Sequence, residues 1–280
     1  MPELPEVEVT RRALAPEVEG GVVRALVVRE RRLRWPVPRG LARRLIGERV
    51  VELTRRGKYL LWRFERGTLI SHLGMSGSWR IHRGKAPPPG PHDHVDMVVE
   101  RPDGTRVLRL TDPRRFGALL WESGGERRLQ QHDLLAHLGI EPFDPGFSGA
   151  LLHRRTRGRR RAIKQVLLAG DIVVGVGNIY ASESLFAAGI DPRTPAGRLS
   201  RARCERLALA VRAVLGRAID VGGSSLRDFT GADGRDGYFM AGAQVYERNG
   251  LGCLRCGAGT IRRIVQSARA TYFCPRCQRR

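Results

Sequence analysis

Four cysteines near the end of the chain form two closely spaced pairs, and this pattern constrains the fold more than any other feature. Cys253 and Cys256 form the first pair, Cys274 and Cys277 form the second, and 17 residues separate the two. The spacing fits two tight turns that each supply two thiolates to one tetrahedral zinc ion. Four sulfur ligands leave no open position, so the sequence predicts one structural Zn²⁺ in a small ribbon. Two disulfides or free thiols are the alternative, which a reducing compartment disfavours.

The chain is strongly basic, with 50 lysine and arginine residues against 28 aspartate and glutamate residues. A formal net charge of +22 attracts a polyanion and otherwise costs stability by self-repulsion, so nucleic acid is the leading partner. A solvated basic surface is the alternative. Only Lys58, Lys85 and Lys164 are lysines. Because lysine gives up a proton more readily than arginine, each is a candidate for proton transfer.

The start of the chain lacks the basic stretch and apolar run of a secretory signal. No apolar stretch approaches the roughly 20 residues that a membrane-spanning helix needs. We therefore expect a cytoplasmic, nucleoid-associated monomer that does not contact membranes.

The residue patterns predict an α+β protein with several domains. Residues 1–130 contain an opening helix and many short strand-like runs, which favour an N-terminal β-sandwich with flanking helices. Residues 131–147 are interpreted as a linker because they end in a run rich in Pro, Gly and Asp. Residues 148–243 show helical spacing, with Ser200 as a candidate N-cap. Residues 244–280 carry the zinc ribbon.

The first residues, Met1-Pro2-Glu3-Leu4-Pro5-Glu6, hold a candidate nucleophile. Removal of Met1 would free the secondary amine of Pro2, and amines are nucleophiles toward the sugar C1′ of a damaged nucleotide. The resulting iminium cannot lose its charge by deprotonation, which makes the neighbouring sugar proton acidic. Glu3 is close enough for general acid–base work. From these residues alone, however, a simple helix start is the stronger interpretation.

Several further motifs occur in a fixed order along the chain. They are Met1–Glu6, His72–Gly77, His92–Asp96, Thr111–Gly117 and Val174–Glu183, and the cysteine pairs close the series. In this order they resemble the bacterial formamidopyrimidine-DNA glycosylases, a family that also holds endonuclease VIII, over nearly the whole chain. The resemblance implies two lobes, the second with a helix–two-turn–helix element and the zinc ribbon. Double-stranded DNA containing oxidised bases would lie between them.

The resemblance also implies four catalytic residues. The family's nucleophile falls on Pro2 and its acid on Glu3. The lysine that assists β-elimination falls on Lys58, for which a phosphate contact is the alternative role. The arginine of the ribbon that is implicated in δ-elimination falls on Arg269. The implied enzyme is a base-excision-repair glycosylase and abasic-site lyase that removes 8-oxoguanine and formamidopyrimidines through a Schiff base on the N-terminal proline.

A glycosylase must extrude its target nucleotide before it reacts, and the resemblance implies how DNA is held open. The positions that fill the resulting void fall on Met75, Arg114 and Phe116. Two further DNA-contacting positions of the family fall on His92 and Arg159. Lys164, on a helix after a basic run, and Asn178 are candidate phosphate contacts from their own surroundings, and for Lys164 a phosphate-only or surface role is the alternative. Asn178 follows glycines at a helix start, which favours a phosphate; the family often has lysine where this chain has Arg159. The stretch 222–238, with Ser224 and Ser225, resembles the family's loop over the extruded base.

Two other functions stay open at this level. An endonuclease VIII-like enzyme would act on oxidised pyrimidines, although Leu4 and the motifs around Met75 and Arg114 favour purines. A noncatalytic zinc-ribbon protein would bind DNA without forming a covalent intermediate.

Overall fold

The computed structural model describes residues 2–224, 232 and 237–280. The chain forms two compact units, residues 1–136 with 222–237, and residues 137–221 with 238–280. Most of the predicted loop over the extruded base, including Ser225, lies outside the described residues. Within the described ranges, no helix has both the length and the apolar character needed to span a membrane.

The described residues of the first unit form eight strands and three helices. The strands are β1 (Val22–Val28), β2 (Glu52–Arg56), β3 (Tyr59–Phe64), β4 (Gly67–His72), β5 (Ser78–Arg83), β6 (Asp93–Arg101), β7 (Gly104–Thr111) and β8 (Ala118–Glu122). The helices are α1 (Leu4–Val18), α2 (Leu41–Leu45) and α3 (Glu126–Gln131). Two antiparallel four-stranded sheets result, in the orders β1-β6-β7-β5 and β2-β3-β4-β8.

Buried side chains from both sheets form one hydrophobic core. Trp62 of β3 and Trp79 of β5 meet edge to face, with ring centroids 5.5 Å apart. The Trp79 indole also donates a hydrogen bond of 3.0 Å to Ser71 Oγ on β4, which satisfies its polar atom inside the core. These contacts join the two sheets, so the predicted β-sandwich is confirmed.

The second unit is helical and ends in a two-stranded hairpin. Its helices are α4 (Gly149–Thr156), α5 (Ile163–Ala169), α6 (Asn178–Ala187) and α7 (Arg201–Asp220), and its strands are β9 (Arg262–Gln266) and β10 (Arg269–Phe273). Ser200 caps α7 as predicted, since its Oγ accepts a hydrogen bond from the Arg203 N–H. The apolar stripe of α7 is buried at Leu207, Val211, Val214, Leu215 and Ala218.

A buried carboxylate fixes the start of the hairpin region to α6. Glu183 accepts hydrogen bonds from the backbone N–H groups of Gln244 (3.0 Å), Val245 (2.9 Å) and Tyr246 (2.8 Å). At the other end, the Gln278 amide donates to the Ile190 carbonyl at 2.9 Å. Because both ends of residues 244–280 are held in this way, the hairpin has a defined position on the helices.

Candidate functional site

The N-terminal segment is fixed by a carboxylate, Glu6, that the sequence interpretation did not count among the site residues. Pro2 and Glu3 are buried, and Glu3 and Glu6 form a capping box at the start of α1. Glu6 Oε2 accepts the Glu3 N–H at 2.7 Å, while Glu6 Oε1 accepts both the N–H and the hydroxyl of Ser224 at 2.8 Å. Glu6 thus connects the Pro2–Glu3 segment to the start of the stretch 222–238. The three-residue spacing of Glu3 and Glu6 is the sequence signal from which this capping box could have been predicted.

The three predicted void-filling residues lie on two adjoining loops of the first unit. Met75 is 36% exposed and Phe116 is 42% exposed, and the Arg114 guanidinium lies 4.9 Å from the centroid of the Phe116 ring. Gly74 has a φ of +65°, and a Cβ there would lie 2.3 Å from the Phe116 carbonyl carbon. Only glycine lets the loops approach this closely.

Asp112, which no sequence argument singled out, holds these loops in place. Its buried carboxylate accepts hydrogen bonds of 2.8 Å from Ser76 Oγ and from the Gly117 N–H. Its backbone N–H donates to the His92 carbonyl at 3.0 Å, and its carbonyl lies 2.8 Å from His94 Nε2. Asp112 therefore brings His92, which is exposed, to the same edge as the other two loops.

Lys58 occupies the two-residue turn between β2 and β3, directly after Gly57, whose φ is +58°. The nearby His72 accepts the Gly74 N–H on Nδ1 at 3.0 Å. Burial, together with the positive charges of Lys58 and Arg34, lowers the pKa of His72 to about 4. The imidazole is therefore neutral near pH 7, and its Nδ1 lone pair is available to hold the Met75 loop.

This lowered pKa predicts a loss of stability in acid. The unfolded chain takes up a proton at His72 as the pH falls through about 6.5, whereas the folded chain does so only near 4. The contribution of neutral His72 is thus complete above pH 6.5 and is lost between pH 6.5 and 4. We expect about 2 kcal/mol of the free energy of unfolding to disappear by pH 4.5 through this residue.

The matched variant is His72→Asn, because an amide Oδ1 can accept the Gly74 N–H but does not titrate. Urea unfolding at pH 7 and pH 4.5 should give a smaller difference for this variant than for the unaltered chain, with other titrating groups common to both. An equal pH dependence in the two proteins would refute the role of His72.

In the second unit, two predicted DNA-contacting residues lie beneath the β10 strand. Lys164 is completely buried, and its Nζ donates to Asn178 Oδ1 (2.7 Å), the Ala270 carbonyl (3.0 Å) and Thr271 Oγ1 (2.8 Å). The Asn178 amide also donates to the Ala270 carbonyl at 3.0 Å. Arg269 precedes Ala270 and is exposed at the first position of β10. The Lys164 ammonium therefore lies in the interior, where it supports the strand that presents Arg269.

Arg159 lies next to an acidic side chain. Its Nη1 is 2.8 Å from Asp171 Oδ2, in an ion pair that is 29% exposed on the arginine side and 40% on the aspartate side. An exposed pair of this kind is weak, typically below about 1 kcal/mol. The negative charge of Asp171 nonetheless weakens the attraction between Arg159 and any other anion.

The four predicted metal ligands meet at one point. The Sγ atoms of Cys253, Cys256, Cys274 and Cys277 lie within 4.8 Å of one another, including separations of 3.8 Å (Cys253–Cys277) and 3.9 Å (Cys256–Cys274). A tetrahedral zinc ion with Zn–S bonds of about 2.3 Å needs sulfurs about 3.8 Å apart. Hydrogen bonds, led by the one from the Ala258 N–H, lower the pKa of Cys256. A Cβ on Gly259 would lie 2.7 Å from Cys274 Sγ. The residues fit one structural zinc.

Three family profiles together match most of the chain. They are described as the formamidopyrimidine-DNA glycosylase N-terminal domain (residues 1–119), the formamidopyrimidine-DNA glycosylase H2TH domain (residues 138–230) and the zinc finger found in FPG and IleRS (residues 250–280). The chain belongs to the formamidopyrimidine-DNA glycosylase family. The helix–two-turn–helix element and the four-cysteine ribbon predicted from the sequence are thereby confirmed.

Individual relatives match over the full length. The formamidopyrimidine-DNA glycosylases of Bordetella pertussis and Burkholderia multivorans are 60% and 58% identical, each with 100% of both chains covered. The crystal structure of the Fpg (MutM) protein of Thermus thermophilus is 39% identical, with a TM-score of 0.85 over 99% of this chain and 98% of that one. The Lactococcus lactis Fpg, solved with DNA containing an abasic site, is 32% identical with a TM-score of 0.88 over 100% of both chains.

Proposed function

We propose that the chain excises oxidised purines, such as 8-oxoguanine and formamidopyrimidines, from double-stranded DNA and then cleaves the strand at the abasic site. The observation that carries this proposal is that one unit holds both the Pro2–Glu3 segment, fixed by Glu6, and the exposed cluster of Met75, Arg114 and Phe116. The first feature supplies an amine and an acid, and the second supplies side chains that can replace an extruded nucleotide.

The chemistry follows from the secondary amine. After removal of Met1, the Pro2 nitrogen attacks C1′ of the damaged nucleotide, the C1′–base bond breaks, and the departing base takes up a proton. The Pro2 nitrogen then loses its proton, the C1′–O4′ bond breaks as O4′ takes up a proton, and the nitrogen lone pair forms the iminium with C1′. This iminium withdraws electrons, so a proton leaves C2′ and the 3′ phosphate departs with the C3′–O bond electrons. Glu3 serves as the acid or base at the sugar, Lys58 assists this β-elimination, and Arg269 assists loss of the second phosphate.

The second unit would hold the DNA backbone. Asn178, Arg159 and the exposed Arg269 are the proposed phosphate contacts of this unit. His92 is the proposed phosphate contact of the first unit. Lys164 is proposed to act through Asn178 and β10 rather than at a phosphate, because its ammonium is buried. Zinc would hold the ribbon that carries Arg269 and would take no part in the reaction.

The choice of DNA is supported by the relatives and by charge. Lactococcus lactis Fpg has been solved with DNA containing an abasic site and with DNA containing Fapy-dG, and the net charge of +22 suits a polyanion. We propose that the protein acts as a monomer on nucleoid DNA.

The test is trapping with borohydride in the presence of a duplex that contains 8-oxoguanine opposite cytosine. The unaltered protein should form a covalent adduct, and Pro2→Gly should reduce the trapped fraction by roughly 100-fold, the scale of losing a positioned reactive group. A form that retains Met1 should bind DNA but form no adduct. Pro5→Ala, which also removes a proline near the start of α1 but leaves the amine, is the matched control.

Two outcomes would contradict the proposal. Tight binding without any adduct from the unaltered protein would indicate a noncatalytic DNA-binding protein. Faster trapping on a duplex with an oxidised pyrimidine than on the 8-oxoguanine duplex would indicate endonuclease VIII-like specificity.

A further inference from the structure

A pocket of about 210 Å³ in the second unit lies between α5 and the turn of the zinc-ribbon hairpin. It is lined by Arg161, Gln165, Leu168, Ala169, Ser267 and Arg269. Two of these six residues are arginines, and the others are apolar or uncharged. Arg269 already belongs to the proposed function. Arg161 ends the basic run 154–161, which could follow the DNA backbone as a whole, but the family resemblance singles out only Arg159 in that run.

The charge of this pocket is uncompensated. No carboxylate lines it among the residues that the structure describes. Within the same described ranges, the guanidinium groups of Arg161 and Arg269 take part in no hydrogen bond or ion pair, and both residues are exposed. Two neighbouring guanidinium groups repel each other unless an anion lies between them, and phosphate oxygens match their planar arrays of N–H donors.

The frame that carries the two arginines is fixed. The backbone carbonyl of Arg161 accepts the Ala196 N–H at 2.9 Å. Across the pocket, the Gln165 amide donates to Ser267 Oγ at 2.8 Å, which ties α5 to the hairpin turn. Ser267 and Ala268 adopt φ values of +48° and +59°, the left-handed pair of a tight two-residue hairpin turn. Arg269 follows this turn directly, so its backbone position is set relative to α5.

Arg159, two residues before Arg161, differs from it in having an acidic neighbour. It has Asp171 at 2.8 Å, outside this pocket, whereas Arg161 faces Arg269 across a space with no described acidic group. We propose that Arg161 and Arg269 together bind one phosphate group of the DNA backbone, which makes Arg161 a further DNA-binding residue. The inference rests on the proposed function, because it takes DNA as the source of the phosphate.

The test compares Arg161→Gln with Arg160→Gln, which removes the same charge from the neighbouring exposed residue that does not line the pocket. Affinity is measured over a range of salt concentrations on a duplex containing a tetrahydrofuran abasic-site analogue, so that no chemical step is needed. Arg161→Gln should weaken binding about tenfold and lower the slope of log K against log salt by about 0.9, the value for one phosphate. Arg160→Gln should leave the slope unchanged.

Equal slopes for Arg161→Gln and the unaltered protein, or equal losses in the two variants, would overturn the inference. A second arm titrates inorganic phosphate into the DNA-free protein and follows the arginine Nε–H signals by NMR. If phosphate shifts the Arg161 signal while Arg161→Gln binds DNA normally, the pocket takes small anions and the DNA contact is wrong. Because binding is measured without chemistry, a failure of Pro2 trapping would not alter either result.

Discussion

Removal of zinc from the four-cysteine site is expected to weaken binding to a lesion-containing duplex by at least about 100-fold. The small core around the ribbon consists of Phe186, Val245, Cys253, Ile261 and Cys274, so two of its five buried residues are themselves ligands. Coordination supplies about 10–16 kcal/mol in isolated zinc fingers, and no comparable apolar burial can replace it here. Without the metal, β10 should no longer pack against α6. Arg269 would then lose its fixed position, and Asn178 would lose the hydrogen bonds that hold it. Losing two charge-assisted phosphate contacts of about 1.5–3 kcal/mol each accounts for the predicted factor.

The measurement is fluorescence anisotropy on the tetrahydrofuran duplex, with zinc content determined for the same samples. Cys274→Ser and treatment with a chelator should give the same loss of affinity. Cys204→Ala is the matched control, because Cys204 is a buried thiol on α7 away from the metal cluster. Unchanged binding after confirmed loss of zinc would show that the ribbon does not position the DNA contacts.

Local sequence patterns were sufficient to predict the elements that are held by contacts between residues close in the sequence. The cysteine spacing predicts the metal cluster because each tight turn fixes two sulfurs by itself. Ser200 predicts the start of α7 for the same reason. Local patterns indicate β5 only weakly, although Trp79 and Ile81 alternate with polar residues, since it is an edge strand next to β7 whose exposed face carries Arg80. The short α2 and α3 have too few turns to show a helical period.

The supporting residues of the site could not be predicted in this way, because their partners are remote in sequence. Glu6 bonds to Ser224, 218 residues away, and Asp112 bonds to Ser76, 36 residues away. Motif resemblance marked residues that face outward, such as Met75 and Phe116. The resemblance could not distinguish a lysine that contacts a phosphate from one that supports the packing of β10. A lysine in either role stands out equally in an arginine-rich chain. Lys164 is the residue for which this distinction matters most.

Lys164→Met is expected to lower the free energy of unfolding by about 3 kcal/mol or more. Methionine fills a similar length but has no N–H donors, so Asn178 Oδ1 and Thr271 Oγ1 each lose a hydrogen bond beneath β10, whereas the Ala270 carbonyl keeps the one from the Asn178 amide. An unsatisfied buried acceptor costs about 1–3 kcal/mol. The strand that presents Arg269 should loosen as a result, which weakens DNA binding as a secondary effect.

Guanidinium unfolding without DNA distinguishes the two roles of Lys164. A lysine that only contacts phosphate would lose affinity when replaced, but the free protein would be as stable as before. A lysine that supports β10 loses stability in the free protein, before any DNA is added. Lys85→Met, at the exposed lysine beside the proline-rich loop, should change stability by less than about 0.5 kcal/mol and controls for the charge removed. If Lys164→Met were as stable as Lys85→Met yet bound DNA poorly, the buried ammonium would have to reach the phosphate, and the framework role would be wrong.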